Sequence, residues 1–101
     1  GHTHVPCVYR WLGGMLGADA FSSSEPLPNS AIELGDDRLI INPGSVGQPR
    51  DGDSRAAYAC YEPKMRVMSF HRVEYDVDAT QVAIRRARLP DRLAVRLQYG
   101  T

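Results

Sequence analysis

Between residues 5 and 12, valine, cysteine, tyrosine and tryptophan occupy strand-favouring positions, and Gly13-Gly14 closes the run. A β-strand is predicted there. Residues 17–28 turn to Gly, Ala, Ser, Pro and acidic side chains, with Ser22-Ser23-Ser24 and Pro26-Leu27-Pro28, and read as a mobile surface loop joining two paired strands. Residues 38–42 carry Leu39-Ile40-Ile41, a continuous apolar run of the kind found where both faces of a strand are covered. A polar stretch follows over residues 47–55. The β pattern resumes from Ala56 to Glu62, and Pro63-Lys64 predicts a tight connection into residues 65–75. There Met65, Val67, Val73 and Tyr75 share one parity while Met68 and Phe70 share the other, which predicts a hairpin.

At Asp78 the apolar period lengthens from two to about three and a half, the mark of entry into helix. Asp78 is placed to cap it, with Gln81 at capping-box spacing, and Val82, Ala83 and Ala87 supply the predicted apolar stripe. Pro90 stops this helix and opens a second with Leu93, Ala94 and Leu97 on one side. Strands first and helices last predict a layered α/β protein with an antiparallel or mixed sheet.

Composition bounds the rest. The 101 residues are 43% hydrophobic and 24% charged, with 12 Lys+Arg balanced by 12 Asp+Glu. A chain of this length can bury roughly two-thirds of its unfolded surface as one domain or part of one. Zero net charge argues against a nucleic-acid groove or an electrostatic membrane binder, and no apolar run approaches the roughly 20 residues of a membrane helix. Arg85, Arg86, Arg88, Arg92 and Arg96 read as a solvated helix face, with phosphate or membrane binding as the alternative. Cys7 and Cys60 form no Cys-x-x-Cys pair and read as reduced, buried thiols of a cytoplasmic protein.

Two constellations carry chemistry. His2 and His4 flank Thr3 at the head of the first strand, where residues i and i+2 share a face and two imidazoles converge as a metal-binding pair; a solvated chain end is the other reading. The second runs Asn42-Pro43-Gly44-Ser45-Val46-Gly47-Gln48-Pro49-Arg50. Pro43 holds Asn42 extended, Gly44 and Gly47 permit unusual backbone angles, and Arg50 can grip phosphate in a bidentate fork or else pair with Asp51 or Asp53.

Taken together, Gly1-His2-Thr3-His4 and Asn42 to Arg50, leading into Asp51-Gly52-Asp53-Ser54-Arg55-Ala56-Ala57-Tyr58-Ala59, resemble the carboxy-terminal part of the calcineurin-like metallophosphoesterases, in the small bacterial phosphodiesterase branch. The resemblance covers nearly the whole chain apart from residues 17–33. It implies a four-layer α/β/β/α sandwich and two divalent metal ions (Mn, Fe, Zn or Ni), with His2 and His4 each a ligand to one of them. It further implies hydrolysis of a phosphomonoester or phosphodiester by a metal-activated hydroxide, with Arg50, Asn42 and Ser45 at the substrate. The family's remaining ligands and general acid have no counterpart here, so no catalytic residue is assigned, and His71 matches no family ligand. The chain alone is expected to bind metal weakly and to catalyse nothing measurable.

The chain starts without methionine, which suggests that residues 1–101 are the back half of one domain about twice as long. Two other functions remain: a non-catalytic interaction scaffold on the same fold, and a small β-rich binding module complete in itself. A complete module hides its apolar surface. A severed half-sandwich leaves residues such as Ile40, Tyr58 and Val67 uncovered and tends to form homo-oligomers.

Overall fold

The computed structural model describes residues 1–13 and 20–101. Their strands are β1 (Cys7–Trp11), β2 (Phe21–Ser24), β3 (Ala31–Glu33), β4 (Leu39–Asn42), β5 (Ala56–Glu62) and β6 (Val67–Val73). Two helices follow, α1 (Val77–Arg86) and α2 (Asp91–Val95), the second running on into a 3₁₀ turn at Arg96–Gln98. The α/β order expected from the sequence is found. The strands form two three-stranded sheets, β2-β1-β4 and β3-β6-β5, with every pairing antiparallel.

In the first sheet, β1 and β4 pair from Cys7 opposite Asn42 to Arg10 opposite Leu39, so the two predicted strands do lie side by side. The expected loop of residues 17–28 is different. Residues 17–19 lie outside the described residues, but residues 21–24 form β2, with Trp11 opposite Phe21 and Tyr9 opposite Ser23. All four β2 residues are exposed. An edge strand is held by its backbone ladder, so serines that bury nothing still extend.

The second sheet contains the predicted hairpin, Ala56 to Glu62 against Val67 to Val73. Its connection spans residues 63–66 rather than a two-residue turn, and Arg66 takes the left-handed conformation at φ 52°. The three residues of β3 pair with Val67 to Ser69 and are too few to show a period in sequence.

Alternation sorts each sheet into two faces. Val8, Ala57 and Phe70 are buried, while the opposite parity carries Tyr9, Ile40, Tyr58 and Cys60 exposed. Ile40 is 65% exposed, so β4 is not covered on both faces as its apolar run predicted, because nothing among the described residues packs on the Tyr9–Ile40 side. Cys60 shares the open face of β5 with Tyr58 and is not buried; Cys7 is half-buried, and both thiols are free. Of the residues a half-sandwich would uncover, Ile40 and Tyr58 are exposed and Val67 is half-buried.

The shape follows. The radius of gyration is 16.3 Å and the extents are 52 × 31 × 18 Å, against about 13 Å expected for a compact chain of this length. The accessible surface is 6975 Å², where a compact monomer of this mass presents about 5,700 Å². The core is thin.

The helices begin and face differently from expectation. Asp76, not Asp78, caps α1, its Oδ1 accepting from the Ala79 N–H at 2.8 Å. The inward positions are Val77, Thr80, Gln81 and Ile84, whereas Val82, Ala83 and Ala87 face solvent. Packing against α2 decides this: Gln81 Nε2 donates to the Ala94 carbonyl at 2.9 Å, turning that side of the helix inward. Pro90 opens α2 from the N-cap, one residue ahead of the first helical position expected for it, with Ala94 and Leu97 buried. No helix among the described residues is long and apolar enough to cross a membrane.

Candidate metal centre

His2 and His4 do not lie on a strand. The His4 N–H donates to the Gly1 carbonyl at 3.3 Å, closing a turn over residues 1–4, and His4 adopts φ 60°. The shared-face geometry predicted from extended backbone is therefore replaced by a turn. His2 is exposed and His4 half-buried. A left-handed backbone at a residue other than glycine is uncommon and persists where its surroundings hold it.

Those surroundings are the loop after β4. Gly44 takes φ 93°, and a Cβ there would meet the Ala57 Cβ at 2.8 Å and Pro6 Cγ at 2.9 Å, so glycine is required both for the angle and for the approach. Gly47, also expected to need glycine's freedom, is not in the left-handed region. Ser45 ties the loop twice, its carbonyl accepting from the Ala57 N–H at 2.9 Å and its Oγ from the Gln48 N–H at 3.0 Å. Pro49 is fully buried. The loop is a stiff platform packed on β5.

Three bonds join the platform to the histidine turn. His4 Nδ1 lies 2.8 Å from the Gln48 carbonyl, the Arg50 N–H donates to the His4 carbonyl at 3.3 Å, and Asn42 Nδ2 donates to Thr3 Oγ1 at 2.8 Å. A carbonyl can only accept, so His4 Nδ1 carries the proton and, in the neutral ring, Nε2 holds the free lone pair. Metal-binding histidines are fixed in this way, with the second ring nitrogen bonded to a carbonyl or carboxylate.

The expected substrate residues fall in two positions. Asn42, 8% exposed, turns its Oδ1 to the loop and its Nδ2 to Thr3, and Ser45 directs its hydroxyl into the loop. Arg50 is exposed, and its guanidinium reaches only Gln48 Oε1, at 3.4 Å, among the described residues. Neither Asp51 nor Asp53 pairs with it. Asp51 pairs with Arg72, whose side chain is 6% exposed, and Arg55 forks onto both Asp53 oxygens at 2.7–3.2 Å. The Arg55 bonds hold the Asp53 carboxyl well below the usual carboxylate range, at about 2.

A cavity of about 230 Å³ lies beside this ion-pair cluster, lined by Val5, Pro6, Pro26, Asp51, Asp53 and Arg72 among others, but not by His2 or His4. Among the described residues no three His, Cys, Asp or Glu side chains converge as a metal site. His71 stacks on Tyr58 with ring centroids 5.0 Å apart and bonds Ser69 Oγ, the arrangement of a hairpin side chain. Sequence reasoning did not single out Thr3 or Gln48, because their roles depend on partners 39 and 44 residues away.

No protein-family model matches the chain. It is 39% identical over 101 residues to an uncharacterized protein of Methanocaldococcus jannaschii, a match covering 99% of this chain and 37% of that protein. It also superposes on the crystal structure of a metallophosphoesterase from Sphaerobacter thermophilus with TM-score 0.89 and 44% identity, over 100% of this chain and 40% of the other. The chain thus spans about two-fifths of the length of these two proteins. Along its entire length, in sequence and in fold, it is similar to part of a metallophosphoesterase.

Proposed function

We propose that the protein carrying this chain belongs to the metallophosphoesterases and is a metal-dependent phosphoesterase, acting on a phosphomonoester or phosphodiester. The observation that carries the reading is the His4–Gln48 bond, which leaves His4 Nε2 as a lone-pair donor on a held turn. Imidazole donors suit Mn, Fe, Zn and Ni, so the residues present fit the group. His2 and His4 supply two of the ligands. A stable centre needs three or four protein donors per ion, so the others come from outside the described residues.

When bound, a pair of divalent ions supplies an activated hydroxide and charge stabilisation for in-line displacement at phosphorus. This chain's own residues do the holding. His2 and His4 would coordinate, Arg50, exposed and bonded only to Gln48 Oε1 among the described residues, would meet the phosphate oxygens, and Asn42, Ser45 and Pro49 keep the loop that carries it stiff.

The test is manganese-dependent hydrolysis of an aryl phosphodiester by the protein carrying this chain. His2→Ala and His4→Ala are each expected to lower kcat/KM by a hundredfold or more, on the order of 3 kcal/mol of lost transition-state stabilisation. Activity unchanged by both substitutions would sink the reading.

A further inference from the structure

Asn42 is a buried polar residue whose amide is bonded at both ends. Its Oδ1 accepts from the Gly44 N–H at 3.0 Å and its Nδ2 donates to Thr3 Oγ1 at 2.8 Å. The direction of the second bond follows from the first. Gly44 offers only an N–H, so the amide oxygen must face it, and the amino group is left facing Thr3. Thr3 stands between His2 and His4 and is itself exposed, so packing does not account for its contact with a residue at the end of β4.

The left-handed backbone of His4 has the same partners. The turn of residues 1–4 has one internal backbone bond, at 3.3 Å, and Thr3 Oγ1 also accepts from the Val5 N–H at 3.5 Å; the restraints from distant sequence come from Asn42, Gln48 and Arg50. With the Thr3 bond removed, the His4 ring loses one of the restraints that hold it against the Gln48 carbonyl. The alternative Nε2–H tautomer, which cannot offer Nε2 as a donor, then gains population.

We infer that Asn42 is a positioning residue for the His2–His4 turn, acting through the Thr3 hydroxyl, and that the Gln48 carbonyl selects the His4 tautomer whose Nε2 is free to bind a cation. The metal half of this rests on the ligand reading above; the tautomer half does not.

Thr3→Val removes the hydroxyl at nearly constant volume, and Thr3→Ser restores it; because Thr3 is exposed, neither threatens the core as Asn42→Ala does. The first measurement is the nitrogen–proton correlation spectrum of the His4 imidazole in the metal-free protein that carries this chain, which also serves for the titration. Wild type and Thr3→Ser are expected to show the Nδ1–H form, and Thr3→Val a mixture. The second is titration with Zn²⁺ alone, where Thr3→Val is expected to bind about tenfold more weakly and Thr3→Ser within about twofold of wild type, at equal Tm. An unchanged tautomer in Thr3→Val, or loss of the Nδ1–H form in Thr3→Ser as well, overturns the inference. If wild type binds no Zn²⁺, the ligand assignment of His2 and His4 fails, while the tautomer spectra still decide whether the Thr3 hydroxyl, bonded to Asn42 and to the Val5 N–H, holds the His4 ring.

Discussion

His4 Nδ1 donates to the backbone carbonyl of Gln48 at 2.8 Å, across 44 residues of sequence. The bond brings the histidine turn at the start of the chain onto the loop that leaves β4, and it determines which ring nitrogen can bind a cation. Everything proposed about the site depends on the stiffness of that loop, so the loop is the first place to test.

Gly44→Ala should destabilise the protein by about 2 kcal/mol or more, because the new methyl meets Ala57 and Pro6 at under 3 Å and the backbone sits at φ 93°. Gly47→Ala, with open space around it, should change stability by less than about 0.5 kcal/mol. Urea unfolding of both variants measures the difference. Equal midpoints would show that the Gly44 approach is not rigid.

The Asp53–Arg55 fork predicts an acid-side dependence. The folded carboxyl titrates at about 2 instead of the usual 3.8, so its contribution is complete above pH 4 and is lost as pH falls towards 2. The pair is partly solvated, which limits the contribution to about 1 kcal/mol. Asp53→Asn should lower Tm at pH 7 and should match wild type near pH 2. A difference that persists undiminished at pH 2 would assign the effect to packing.

Removing the α1 cap separates two aspartates that sequence alone ranks the other way. Asp76→Ala should cost about 1 kcal/mol, since Asp76 Oδ1 satisfies the Ala79 N–H. Asp78→Ala, within the first turn, should cost no more than about 0.5 kcal/mol through the helix dipole. Thermal unfolding of the two variants gives the order.

Tyr9 and Ile40 sit opposite each other on β1 and β4 with 41% and 65% of their surfaces open. Residues 1–101 expressed alone should therefore bind a hydrophobic dye and sediment with concentration-dependent mass. Ile40→Lys should reduce both signals without altering the far-UV spectrum, because the side chain is already in solvent. Dye binding unaffected by that substitution would place the sticky surface elsewhere.

Much of the chain was legible without coordinates. Strand-favouring residue types located β1, a continuous apolar run located β4, and period-two parity located the β5–β6 hairpin. The change of period at the end of β6, together with Pro90, located the two helices. The chemistry of the Gly1 to His4 and Asn42 to Arg50 segments marked out the candidate site, because imidazole pairs and a proline-glycine loop are local facts of composition.

What stayed hidden depended on partners far away in sequence. β2 forms because β1 offers it a backbone edge, a reward that hydropathy does not register. The inward face of α1 is chosen by the bond from Gln81 to Ala94, which turned Val82, Ala83 and Ala87 outward. The apolar run Leu39-Ile40-Ile41 could say only that β4 can be buried, since burial of Ile40 requires a neighbour that the described residues do not supply. By itself, the sequence determined which residues could bind a cation and which segments could extend or coil. Only the tertiary structure decided that His2 and His4 stand on a turn, with Asn42, Gln48 and Arg50 holding it. The physical reason is that a hydrogen bond between distant segments has no periodicity and leaves no trace until the chain has closed the loop between them.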